Sequence, residues 1–452
     1  MSLEEKHGVF EAAKVASPSD HPASQDFARR ETHEHNIGDG DDDDDGDNDY
    51  EYPEGGWDAW QQVAAGFLAQ AMSWGFPTTF GIYQLYYTTT MNLPNAQVSW
   101  IGSIQTFCTY TTCVVSGRLA DAGYQRSTVL AGSVLAALGA FMTSVATEFW
   151  QILLAQGICQ GVGLGIIFIP TIAVMSTYFC ERRALVMSVA ASGGAVGSVV
   201  FPATVQYLIP RVGFPWATRC ATFVLIFLLI LMNLIFKPRA AAPRTRPSAP
   251  WVDWSAFKEP PFVLMLAGAF ALHLGLYYVS SYINAYAVSK IGFDAQQAVV
   301  LLLIMNAASG PPRVAIGFVA DRWSGPLNAL VFSVAVMGVM TYVWIAVVAP
   351  TQMYVYAVLF GMVLGLVMAG FTSALASLTT DPSKVGVRFG VTLTLISFAT
   401  LAGPPIAGSL IDRGGGSYLG AQIYGGAVLL LSTALMACCR VSVTGPRLQA
   451  KV

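Results

Sequence analysis

The chain has 452 residues, 54% of them hydrophobic and 11% charged, where soluble domains carry about 25% charged residues. The apolar residues gather in uninterrupted runs, 222–236 and 299–304 among them. These runs are too many for one soluble core, and a bilayer span needs roughly 20 apolar residues. This excludes a set of soluble domains and points to an all-α polytopic membrane protein.

The net charge of −3 averages two unlike regions: residues 1–53 carry a net −12 and residues 54–452 a net +9. The first 53 residues are rich in Asp, Glu, Ser, His and Pro. They hold too little apolar surface to offset ordering, so they read as a disordered acidic cytosolic tail. The opening segment MSLEEKHGVFEAAK has no apolar core of a secretory signal, which leaves targeting to the first span. Aspartates 41–45 followed by Gly46 imitate the start of a calcium loop, but Tyr52 stands where the last ligand, a Glu, belongs. A solvated acidic run is the better reading.

Twelve apolar spans follow, near 61–84, 97–117, 128–147, 150–178, 184–207, 216–236, 261–286, 295–319, 327–349, 352–378, 387–411 and 418–439. They form two six-helix halves, 54–236 and 261–440, joined by a Pro/Arg/Ala-rich cytosolic loop at 237–260 and followed by a C-tail at 441–452. Fifteen Lys and Arg side chains fall on one side of this bundle, and only Arg211, Arg219, Lys290 and Arg413 on the other. By the positive-inside rule both termini are cytosolic. An offset of 200 residues relates Gly117-x-x-Ala120-Asp121 to Gly317-x-x-Ala320-Asp321, and Gly161 and Gly165 to Gly361 and Gly365. Parallel repeats of this kind build one large class of secondary transporters.

Chemistry is sparse along the spans. The seven cysteines have no metal-ligand spacing, and Cys438-Cys439 suits either packing or palmitoylation. There is no phosphate-binding loop of the G-x-x-x-x-G-K-[ST] type, no carboxylate pair, no His cluster and no nucleophilic triad within the spans. No catalytic residue, metal or cofactor is expected, and the chain reads as a transporter rather than an enzyme. The other reading is a sensor that uses a transporter fold without turnover.

The segment Gly117-Arg118-Leu119-Ala120-Asp121-Ala122-Gly123-Tyr124-Gln125-Arg126 resembles the signature loop of the major facilitator superfamily. Asp121 suits capping a helix start in one conformation and releasing it in another, with Gly317, Asp321 and Arg322 as the weaker copy. Glu54-Gly55-Gly56-Trp57 with Trp60 looks like the opening motif of the monocarboxylate porters, closest to their fungal branch. Phe80-Gly81-Ile82-Tyr83-Gln84 with Tyr87, and Gly403-Pro404-Pro405-Ile406-Ala407-Gly408, strengthen that likeness over residues 53–440. The resemblance implies secondary-active transport across the plasma membrane, with either export of a fungal secondary metabolite or uptake of a monocarboxylate as its task. Two departures stand out: Thr78 replaces the Lys, and Ser309 the Asp, that serve proton coupling in animal members.

Ionisable groups inside spans are costly, so each is a site candidate. His273 is twelve residues into its span, about 18 Å deep, with Tyr277 and Asn284 following at helical spacing. Arg313 lies about 12 Å in from the cytosolic edge, with Asn306 on its face. Pro311-Pro312 beside it are expected to break the helix and free carbonyls. Arg313 either meets a substrate carboxylate or carbonyl or snorkels to the headgroups. The partners implied are the lipid bilayer and a small organic substrate bearing a carboxylate or several oxygens. Nucleic acid is not among them, and the coupling ion is open.

Overall fold

The computed structural model describes residues 53–239, 252–379 and 384–445, all within the unit Tyr52–Val452. The acidic tail up to residue 52, residues 240–251 of the central loop and the tail 446–452 lie outside the described residues.

Among the described residues every regular element is helical. Eleven helical runs follow in chain order: α1 (57–89), α2 (95–121), α3 (Gln125–Thr143), α4 (Phe149–Met175), α5 (Arg183–Ile235), α6 (260–291), α7 (295–324), α8 (Pro326–Ala346), α9 (Pro350–Ser377), α10 (Val385–Arg413) and α11 (Leu419–Thr444). Eight of them are long and apolar enough to cross a membrane, and α6 adds a shorter apolar stretch, Pro260–Leu276. The runs α1 and α2 are interrupted: α1 by a wide turn, Ala71–Gly75, and a tight one, Phe76–Thr79, and α2 at Thr112.

Three expectations are corrected. The loop expected between the fifth and sixth spans is absent. The 53-residue α5 bends at one residue, Gly213 (φ 78°, ψ 165°), a left-handed position suited to glycine. Val189 before the bend and Leu231 and Ile235 after it line one crevice, so the two limbs run back along each other. Pro311-Pro312 interrupt α7 at a single residue, Ser309, rather than unwinding it widely. Ser309 keeps right-handed dihedrals, and the prolines occupy the first turn of Gly310–Val319, where missing N–H groups cost least. The Asn306 carbonyl accepts from the Ser309 N–H at 3.2 Å and from its hydroxyl at 2.7 Å. Finally, α11 continues past residue 440 to Thr444.

The sequence repeat is one helix crossing made twice. A Cβ on Gly161 would stand 2.7 Å from the Gln105 carbonyl oxygen, and one on Gly361 would collide with that of Met305. Likewise Gly165 faces the Thr109 carbonyl and Gly365 the Ser309 carbonyl, both too close for a side chain. So α2 crosses α4 as α7 crosses α9, through backbone contact that only glycine permits. The same device joins α1 to α5, where Gly193 and Gly197 lie on the carbonyls of Phe67 and Ala71. One buried apolar cluster lies wholly within 59–236. A second draws mainly on 256–439 and reaches across to Tyr110, Phe168 and Met187.

Candidate functional site

The wide turn in α1 carries Trp74. Such turns relax the helix ladder and recur at functional positions. The Trp74 ring lies 4.8 Å from that of Tyr110 on α2 and meets Phe168 of α4 edge-on at 5.1 Å. Tyr110 meets His273 of α6 edge-on at 5.9 Å, and His273 meets Phe371 of α9 at 5.4 Å. A chain of rings therefore runs from the N-terminal helices to the C-terminal ones, and all but Trp74 are buried. Nδ1 of His273 lies 2.8 Å from the Ala269 carbonyl one turn back, so Nδ1 carries a hydrogen and donates it there.

Arg313 is 9% exposed. Its Nη1 donates to the Ala191 carbonyl of α5 at 2.6 Å. A Cβ on Gly194 would stand 2.8 Å from that nitrogen and 3.5 Å from the Trp74 Cβ, so the guanidinium lies beside the ring chain. Its Nε is buried without a hydrogen-bond partner. Burying a cation against one backbone oxygen leaves charge uncompensated. An anionic group entering between α5 and α7 would supply what is missing.

The other candidates divide. Asn306 is buried on the face of Arg313. The Thr78 hydroxyl donates to the Gly75 carbonyl at 2.6 Å, turned onto its own helix. Asn284, with a buried unpartnered Oδ1, lies about 16 Å along α6 from His273 and stands apart from the rings. The Tyr277 side chain lies outside the described residues.

A set of buried amides went unanticipated. Gln156 and Gln160 occupy a wide turn of α4, Leu153–Gln160. The Tyr87 hydroxyl donates to Gln156 Oε1 at 2.9 Å, Gln156 Nε2 to Gln105 Oε1 at 3.5 Å, and Gln105 Nε2 to Gln160 Oε1 at 3.5 Å. Two glutamines four residues apart in an apolar span were the available signal, since such a pair shares a helix face.

The second locality is one end of the bundle. Asp121 accepts from the Gly386 and Val387 N–H groups at 3.2 and 2.7 Å, capping α10. Asp321 accepts from Ala184 and Leu185 at 3.1 and 2.7 Å, capping α5. Each repeat copy thus caps a helix of the other set, where carboxylates suit the helix dipole. Gly117 lets α2 touch the Gly386 carbonyl, and Gly317 makes room for Ser188. Arg126 is exposed, and Arg322 lies 6.0 Å over the Trp323 ring. Of the opening motif, Glu54 reaches the turn between α4 and α5, Gly55 and Gly56 carry no crowding neighbour, Trp57 is 79% exposed and Trp60 packs on Phe179.

An all-helical bundle with a duplicated crossing, reciprocally capped at one end, is the architecture of a membrane transporter. Residues 63–381 match the Major Facilitator Superfamily, and the chain belongs to it. An MFS-type transporter of Gibberella zeae is 36% identical over 86% of this chain and 88% of its own length. The agnestins efflux protein of Paecilomyces divaricatus is 32% identical over 84% of this chain and 87% of its own. The aspyridones efflux protein of Emericella nidulans is 32% identical over 85% and 78%. In fold, the chain is similar to a human organic anion transporter, with a TM-score of 0.66 at 15% identity over 84% of this chain and 99% of that one. The chain is therefore a multi-pass membrane transporter and not an enzyme.

Proposed function

We propose that the chain is a twelve-span secondary-active exporter of a flat, anionic organic metabolite. It is built as two six-helix halves, with both termini cytosolic, in the plasma membrane. Reading α5 as two limbs of about 45 and 33 Å turns the eleven runs into twelve spans. The loops then alternate as the Lys/Arg bias requires. The capped end is the cytosolic gate, and its closure is reversible because hydrogen bonds to two helix starts hold it.

The observation that carries the substrate reading is Arg313, buried with an unpaired Nε beside a ring chain drawn from both halves. A guanidinium suits a carboxylate or acidic enol, and the rings suit a planar body. Outward direction rests on the efflux relatives. Proton handling departs from the monocarboxylate-porter pattern. Thr78 and Ser309 spend their hydroxyls on their own helices.

A deletion strain tests this by metabolite ratios, cells against medium. Loss of the transporter should trap an aromatic acid inside. Arg313→Gln should restore its export at least about tenfold less well than wild type, from a charged hydrogen bond of about 2–5 kcal/mol. Arg313→Lys should restore it in part, because an ammonium lacks the forked geometry. Full export by the Gln variant would remove Arg313 from the site.

A further inference from the structure

The two helix starts that the caps hold are each gripped a second time, from their own half. At α5, Glu54 Oε1 accepts from the N–H groups of Cys180 and, at 2.8 Å, Glu181. The Glu54 N–H donates to the Tyr178 carbonyl at 3.1 Å, and Trp60 meets Phe179 edge-on at 5.8 Å. The motif that opens α1 therefore clasps residues 178–181, directly before α5. At α10, Arg388 is held by Asp253 at 3.1 Å and by both carboxylate oxygens of Glu259 at 2.7 and 3.0 Å. Its guanidinium also lies 5.6 Å over the Phe262 ring. Asp253 and Glu259 directly precede α6.

The placement is the same in both cases. The acid ahead of the first helix of a half fastens the start of the fifth helix of that half. The chemistry differs: a carboxylate on backbone N–H groups at α5, a forked ion pair at α10. The correspondence is therefore one of position in the architecture, where a shared motif would have repeated the residues.

We propose that Glu54 with Trp60, and Asp253 and Glu259 through Arg388, are positioning residues for transport. They are straps that keep each fifth helix with its own half while the caps Asp121 and Asp321 release. This rests on the two-half reading above. A rocking half has to carry its helices as one body, and a helix start held only by the opposite half's carboxylate would stay behind when the gate parts.

The test uses pairs of nitroxide labels in the full chain, reconstituted in nanodiscs with its native cysteines replaced. Labels at Ser127 and Arg182 report within the first half, and labels at Arg182 and Trp323 report between halves. Asp321→Asn should lengthen the 182–323 distance and leave the 127–182 distribution narrow. Adding Glu54→Ala should broaden 127–182. Glu54→Gln should keep it narrow, because an amide oxygen still accepts both N–H groups. A narrow 127–182 distribution in the Glu54→Ala, Asp321→Asn protein overturns the strap. An unchanged 182–323 distance in Asp321→Asn counts against the gate reading alone. The strap is then judged from Glu54→Ala by itself, where broadening supports it and a narrow distribution overturns it. Should Glu54→Ala not fold, labels at Lys258 and Lys384 decide at the second joint. Arg388→Ala should broaden that distance more than Arg388→Lys, and equal widths in Arg388→Ala and wild type overturn the proposal.

Discussion

The crossing of α2 on α4 and that of α7 on α9 share their glycines and differ in the side chains around them. In the first, Gln105, Gln156 and Gln160 form a buried amide chain that ends on Tyr87. In the second, the same offset brings Met305, Tyr356 and Phe360, with Tyr356 stacked on Phe360 at 5.6 Å and on Trp344 at 5.9 Å. Backbone approach is thus fixed by the glycines alone. How the surrounding interface coheres, by amide hydrogen bonds or by ring contact, varies freely once the backbones touch. The helix starts repeat this lesson, with one position in the architecture and two chemistries.

The largest effect should come from breaking what the crossings share. Gly165→Val and Gly365→Val each drive a side chain into a carbonyl of the facing helix. Overpacking costs about 1–3 kcal/mol where the neighbour can yield, and a backbone oxygen yields little. Both variants should lose the monodisperse peak in detergent size exclusion. A tolerated Val at one crossing and not the other would end the equivalence.

A smaller effect should come from making the first crossing resemble the second. Gln156→Met strands the Tyr87 hydroxyl and the Gln105 Oε1 acceptor, a cost of about 1–3 kcal/mol for each buried group left unpaired. Gln160→Met strands one group, the Gln105 Nε2 donor, and removes an amide whose own Nε2 is already unpartnered, so it should cost less. Thermal midpoints of the two purified variants should rank in that order, and a reversed order would mean the amide chain is wired differently.

The smallest effect concerns pH at the α10 strap. Burial alone would raise the Asp253 carboxyl, but the Ser255 hydroxyl and the Arg388 guanidinium outweigh it and hold the group below its ordinary value of 3.8. A depressed carboxyl contributes stability that is complete above its unfolded value and fades as pH falls through the folded one. The difference in thermal midpoint between wild type and Asp253→Asn should therefore be flat across neutral and mildly acidic pH. It should shrink only below about pH 4. A decline already between pH 7 and 6 would point to another titrating group.

Much of the architecture was legible. The 200-residue offset marked the glycines that both crossings use, because close approach demands glycine and glycine is visible in any sequence, but not the helices they meet. Asp121 was readable as a cap for the same kind of reason: a carboxylate beside a helix-packing glycine has few roles. The partners of that cap, Gly386 and Val387, were not readable, since nothing local marks them. The wide turns at Trp74 and at Gln156–Gln160 were hidden because they arise from packing between helices rather than from local propensity. The glutamines escaped attention because they are uncharged, and a search for ionisable groups passes over them. Arg313 stood out as a charge inside a span, but its contact with Ala191 depends on α5 lying across it, which no spacing along α7 reveals. Pro311-Pro312 misled for the opposite reason. Their helix-breaking tendency is real, yet it interrupts the run only at Ser309, because they sit in the first turn of the segment that follows.

The bend at Gly213 has a consequence for how this chain can vary. Most membrane hairpins have a loop that absorbs insertions and deletions. Here one left-handed residue joins two helical limbs, so there is no slack on either side of it. One added or lost residue near the bend would turn the second limb by about 100° about its axis. Asn233 would then leave Ser133, which it reaches at 2.9 Å, and lipid-facing Phe227 and Leu234 would swing toward the bundle. In a lineage of such transporters, length changes should therefore accumulate in the central loop and the tails, while the distance between residues 183 and 235 stays constant.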